Sequence, residues 1–187
     1  GGGVTTAGGD PGYTVEGEVQ GYSNLPFPTS YYLNAEWEKS YDERTSPIGF
    51  GLSSEDRLLR GNGYLTASPT PDDRVVAYFN RSDTFSNLAL TGGLDIESET
   101  VTTNAGVGIS HTIAYRNVVN AALLYNEIDA DGLDERTVFL PPFGLATTTE
   151  SSQRTYVAAL NHSVGEDDLT WRYGIEGGWI ESYSQLK

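Results

Sequence analysis

The residues best placed to do chemistry are carboxylates. Glu16 and Glu18 lie two apart, as do Glu36 and Glu38, and residues two apart on an extended chain share a face. If their segments pair, four acids meet in one patch, and their repulsion demands water, cations or Arg partners. Such a wall would favour cations if it lined a pore; the plainer alternative is a wet, salt-bridged interior that aids only solubility. Arg60, Arg172 and Glu176 complete the charged set expected on that side. A second candidate is Asp129, Asp131, Asp134 and Glu135 around Gly132, alternating acids like half a calcium loop. No flanking helix and no distal Glu accompany them, so an acidic surface loop is expected, with no metal and no cofactor. The two histidines each sit beside a serine, His111 after Ser110 and His162 before Ser163. Neighbours on a strand point to opposite faces, so neither pair makes a nucleophile and base. No covalent chemistry is expected.

These side chains must be positioned by strands. Over residues 155–180 the chain reads as a hairpin with a tight turn at 165–168. Leu169, Trp171, Tyr173, Ile175, Gly177 and Trp179 alternate there with Thr170, Arg172, Gly174, Glu176 and Gly178, giving a greasy face and a polar one. Residues 13–22 and 31–41 repeat the pattern, with Tyr13, Val15, Val19, Tyr31, Leu33 and Trp37 on the apolar side. So do 58–68, 74–81, 101–111 and 117–127, although in the last either face could be the apolar one. Between them, short connections at 24–30, 69–73, 112–116 and 165–168 alternate with long ones at 42–56, 82–100 and 128–153. The long ones carry Pro47, the Pro141 and Pro142 pair, and parts that extend the flanking strands, 48–52 among them. Residues 1–12 read as a flexible Gly-rich lead and 13–187 as the folded unit. Apolar residues nowhere recur with a helical period over a dozen positions, so the expectation is all-β with about eight antiparallel strands.

Composition narrows the class. In 187 residues the hydrophobic share is 37% and no apolar run approaches the roughly 18 residues a membrane helix needs, which excludes a helical membrane protein but not a barrel of alternating strands. A formal charge of -15, from 26 acids against 11 scattered Lys and Arg, argues against a nucleic-acid binder. There is no cysteine for a disulfide framework or thiolate metal site, and no methionine, which reads as cleavage or as a piece of something longer. Short turns on one side and long loops on the other suit an up-and-down transmembrane barrel; a sandwich has no reason to sort its loops. Tyr13, Tyr31, Tyr41, Tyr125, Tyr156, Tyr173, Trp37, Trp171 and Trp179 would then form girdles at the membrane surfaces. Their alternative is packing in a sandwich core.

The alternation, with turns such as Ser68-Pro69-Thr70-Pro71-Asp72-Asp73-Arg74 and Val164-Gly165-Glu166-Asp167-Asp168-Leu169, resembles the bacterial outer-membrane β-barrel superfamily over most of residues 13–181. Within it the turns look like the periplasmic turns of large barrels, those of TonB-dependent receptors or tetratricopeptide-linked exporters. The resemblance implies an outer-membrane location, a lipid bilayer as partner, and a porin-like or receptor-like part in transport without covalent chemistry. The fold expected is a transmembrane barrel of about eight strands or a segment of a larger one. Strand 13–22 would run down from the outer side and the chain lacks a terminal aromatic, which points to further barrel strands or partner chains, whereas a different first turn would leave a complete eight-stranded barrel. The alternative is a secreted or cell-surface binding module, an adhesin-type sandwich.

Overall fold

The computed structural model describes residues 2–7, 10–45, 51–91, 93–137, 144–166 and 169–187. These form nine strands: β1 (Gly2–Ala7), β2 (Asp10–Ser23), β3 (Thr29–Thr45), β4 (Gly51–Ala67), β5 (Asp73–Leu90), β6 (Leu94–Ala114), β7 (Asn117–Thr137), β8 (Gly144–Glu166) and β9 (Leu169–Leu186). They make one antiparallel sheet in sequence order, β1 through β9, the all-β up-and-down architecture that the alternation predicts. β1 and β9 each have one neighbour, so the sheet is open. A two-sheet sandwich would need a second layer, and the described residues supply a single sheet.

The strands differ from the expected layout in three places. Residues 2–7, expected as part of a flexible lead, are β1 and pair with β2 from Gly2 opposite Val15 to Ala7 opposite Asp10. Pairing of this kind is made by backbone groups and does not need the side chains that a Gly-rich segment lacks. The long loops expected at 42–56, 82–100 and 128–153 are mostly strand. β3 and β4 pair out to Thr45 opposite Gly51, β5 and β6 out to Leu90 opposite Leu94, and β7 and β8 out to Thr137 opposite Gly144. With water on both faces there is no apolar contrast to produce a period of two, so polar strand reads as loop. The turn near 112–116 tightens to Tyr115 and Arg116, with Arg116 at φ 59 and its carbonyl accepting from the Gly165 N–H at 2.8 Å. Residues 46–50, Pro141 and Pro142, and Asp167 and Asp168 lie outside the described residues. With β1 in place, the first strand runs toward the same end of the sheet as β9 does.

The register defines a slant. From Thr29, the first residue of β3, the row of partners passes through Ala67, Val75, Ile109, Ala121 and Leu160 to Ile175. Ile175 lies six residues past Leu169, where β9 opens, and the row has crossed six strand-to-strand steps. The turn edge therefore moves one residue per strand. A rise of about 3.3 Å per strand spacing of about 4.8 Å inclines the strands by about 35° to an axis drawn perpendicular to that edge, within the roughly 35–45° typical of membrane barrels.

Close approach of β8 to β9 tests the pairing. A Cβ on Gly174 would meet Asn161 Oδ1 and lie 2.6 Å from the Leu160 carbonyl oxygen, whereas one on Gly177 would meet nothing within 4 Å. Gly174→Val should destabilise the refolded protein by about 1–3 kcal/mol and Gly177→Val by less than about 0.5 kcal/mol. Urea unfolding midpoints of the two variants check this, and equal losses would contradict the β8–β9 register.

Candidate functional site

Directly paired residues share a face, so the register sorts the side chains. One face is apolar across the half of the sheet nearest the short turns. Val75, Ile109, Ala121, Leu160 and Ile175 form one row; Ala77, Val107, Leu123, Ala158 and Gly177 form the next. These side chains are not a core: Leu123 is 60% and Ile175 72% exposed, and among the described residues Ala67 alone is a buried apolar residue.

Aromatic rings bound this band at two levels. Tyr31, Trp171 and Tyr173 lie near the short turns, and Trp37, Tyr125, Tyr156 and Trp179 at the far edge, all on the apolar face. The Tyr156 and Trp179 rings stack with centroids 4.5 Å apart, and Tyr125 leans on Tyr156 at 5.1 Å. From Leu169 to Trp179 is ten residues, about 33 Å along the strand and about 27 Å along the slanted axis. Immediately beyond, the same face turns ionic. Arg81, Thr103, Glu127, Arg154 and Glu181 follow one another in register, with Arg154 Nε 2.7 Å from Glu127 Oε1. Toward β3, Lys39 Nζ lies 2.9 Å and Arg57 Nε 3.3 Å from Glu55 Oε1, and the Arg57 guanidinium sits 4.1 Å over the Phe85 ring.

The opposite face is polar and is the candidate site. Glu16, Glu18, Glu36, Glu38, Arg60, Arg172 and Glu176 all fall on it, but not together. Glu16 stands opposite Glu36 and Glu36 opposite Arg60, 3.4 Å from Oε2 to Nη1. Asn34 Nδ2 donates to Glu16 Oε1 at 3.0 Å. Arg172 and Glu176 are five strands away on β9, opposite Ser163 and Ala159.

The centre of this face holds a row of neutral side chains to which the charged residues do not point. Asn34, Asn62, Asn80, Asn104 and Asn126 stand directly opposite one another on β3 to β7, all half-buried, and Asn126 Nδ2 donates to Asn104 Oδ1 at 2.5 Å. One step nearer the short turns, Tyr32, Tyr64 and Tyr78 form a parallel row, with the Tyr32 and Tyr64 rings stacked at 5.6 Å and 17°. The sequence holds little signal for them: each Asn is one polar position of an alternating segment, and Asn80 and Asn126 fall next to the end of theirs, 74–81 and 117–127.

The remaining candidates separate. Asp129 and Asp131 belong to strand β7, not to a loop, with Asp129 opposite Ser152 and Asp131 opposite Glu150, while Asp134 falls on the other face; a strand spreads its acids instead of wrapping them round an ion. No group of three or more metal-ligating side chains occurs among the described residues. His111 and Ser110 point to opposite faces, as do His162 and Ser163. His111 Nδ1 is 2.7 Å from Asp73 Oδ1, and hydrogen bonds from Thr70 and from His111 hold the Asp73 carboxyl below its usual range. His162 Nε2 lies 2.6 Å from Asn117 Oδ1, and its Nδ1 meets the Tyr173 hydroxyl. No protein-family model and no curated protein matches the chain.

The ionic belt predicts a pH dependence. The hydrogen bond from Lys39, with the charges of Lys39 and Arg57, holds the Glu55 carboxyl below its ordinary value. A depressed folded-state pKa means that this contribution is present above the unfolded glutamate pKa of about 4.3 and is lost as pH falls through the folded value. Glu55→Gln should therefore lower the unfolding midpoint at pH 7, with the gap to wild type closing in acid. A gap that widens on acidification would contradict the assignment.

Proposed function

We propose that the chain is part of an outer-membrane β-barrel that carries a solute across the bacterial outer membrane, with the apolar face against lipid and the polar face lining the lumen. The observation that carries this is the band: about 27 Å of exposed apolar side chains, aromatic rows at two levels, and an ionic row immediately beyond. A bilayer-spanning barrel presents an apolar belt about 25 Å tall with aromatic girdles at both interfaces. In water so large an exposed apolar face would aggregate. The roughly 35° slant suits the same arrangement. The polar halves of β3 to β9 then stand outside the membrane, since outer-membrane barrels keep their short turns in the periplasm.

Closure follows from direction. β1 and β9 are both odd members of an alternating series, so they run the same way and cannot join each other in an antiparallel barrel. An odd number of further strands between them gives the even count that bacterial barrels have. A second copy in the same membrane orientation would again offer a parallel partner.

Two substitutions test the facing of the sheet. Leu123→Arg places a charge in the middle of the apolar band and should cost about 2–4 kcal/mol of stability in bilayers. Ala122→Arg, on the adjacent residue and the other face, should cost far less. Urea titrations in lipid vesicles read both. The proposal fails if the two are equal, or if the wild-type chain stays monodisperse in buffer without detergent while its Trp fluorescence is buried.

A further inference from the structure

We propose that the centre of the polar face is a binding platform for a neutral, hydroxyl-rich ligand of the oligosaccharide class, an inference that rests on the lumen reading above and names the solute it would handle. Four side chains build it: Asn62 opposite Asn80, and Tyr64 opposite Tyr78.

Their chemistry is specific in three ways. First, the carboxamides are free. Asn34 and the Asn104–Asn126 pair are engaged by neighbours, whereas Asn62 and Asn80 form no side-chain hydrogen bond among the described residues. A carboxamide offers two donors and an acceptor with two lone pairs, which matches hydroxyl groups that both donate and accept. Second, a ring lies flat beside them. Tyr78 covers Gly106, whose Cβ would stand only 2.8 Å from the ring Cζ. The missing side chain lets the ring lie down on the sheet and turn its outer surface to the lumen, with 42% of Tyr78 exposed. An apolar ring surface beside fixed hydrogen-bonding groups accepts the C–H face of a sugar ring and its hydroxyl edge together. Third, the patch is neutral. The four groups carry no charge; Glu16, Glu18, Glu36 and Glu38 lie on β2 and β3, and Arg60, two residues from Asn62 on the same face of β4, is paired with Glu36, so a cation is not what the centre is built to hold.

The test uses the full chain refolded in detergent micelles, with insertion checked on the same sample by protease protection, and cellopentaose as probe in calorimetric or saturation-transfer titrations. Saturable binding is expected. Tyr78→Ala and the Asn62→Leu, Asn80→Leu pair should each weaken it about fivefold or more, the loss of one or two hydrogen-bond-sized interactions. Gly106→Val removes no contacting group but lifts the ring, and should weaken binding as well. Val107→Ala, on the opposite face, should leave it unchanged. No saturable binding by an inserted chain, or binding indifferent to Tyr78→Ala and Gly106→Val, would overturn this platform and leave the barrel standing. A chain that stays monodisperse in buffer without detergent, with its Trp fluorescence buried, overturns the barrel reading and the platform with it.

Discussion

Everything in this molecule depends on the antiparallel backbone ladder. A soluble domain of similar length holds its strands by burying one face of each against another layer; here a single sheet has Ala67 as its buried apolar residue among those described. What aligns Tyr125 with Tyr156 and Trp179, or Asn62 with Asn80, is register. Register is also fragile, since a slip of one residue would exchange the two faces of a strand. The contrast between the faces is thus both the product of the ladder and the means of fixing it, because a slipped strand would carry Ile175 to the polar side and Glu176 to the apolar one.

That dependence explains what could be read from the sequence and what could not. Residues 169–179 alternate so strongly that strand, face and turn follow from them. Residues 129–137 and 144–154 are no less regular as strands, yet they read as loop, because acids and hydroxyls suit water on either side. What looked like a sorting of short turns from long loops was a sorting of apolar halves from polar halves, and the strands run through both. β1 stayed hidden for a related reason: a stretch such as Gly2, Gly3 and Val4 can pair by backbone alone and leaves almost no side-chain signature.

The site was legible where its geometry is local. Glu16 with Glu18, and Glu36 with Glu38, share a face by being two apart, and a hairpin between their strands brings them together. The Asn row is non-local. Asn34, Asn62, Asn80, Asn104 and Asn126 lie at unequal separations set by strand and turn lengths, so no spacing rule finds them. They meet only when each strand's centre is laid against the next. The charged residues drew notice as single groups, whereas the central feature is a set of neutral amides whose meaning lies in their alignment.

The two edges of the apolar band supply the last step. The turn edge is drawn by the backbone and the aromatic edge by side chains, so nothing obliges them to run alike. From Trp37 the row of partners passes Leu59, Asp83, Val101, Asp129 and Ser152 to Tyr183, four residues beyond Trp179. The aromatic edge therefore climbs across the strands in the same sense as the turn edge, which gains six residues over the same steps. A patch shaped by contacts within the sheet would follow the register and stay level with it. A band that cuts obliquely across the register at both edges is what the proposed bilayer, a flat layer through which slanted strands pass, would require.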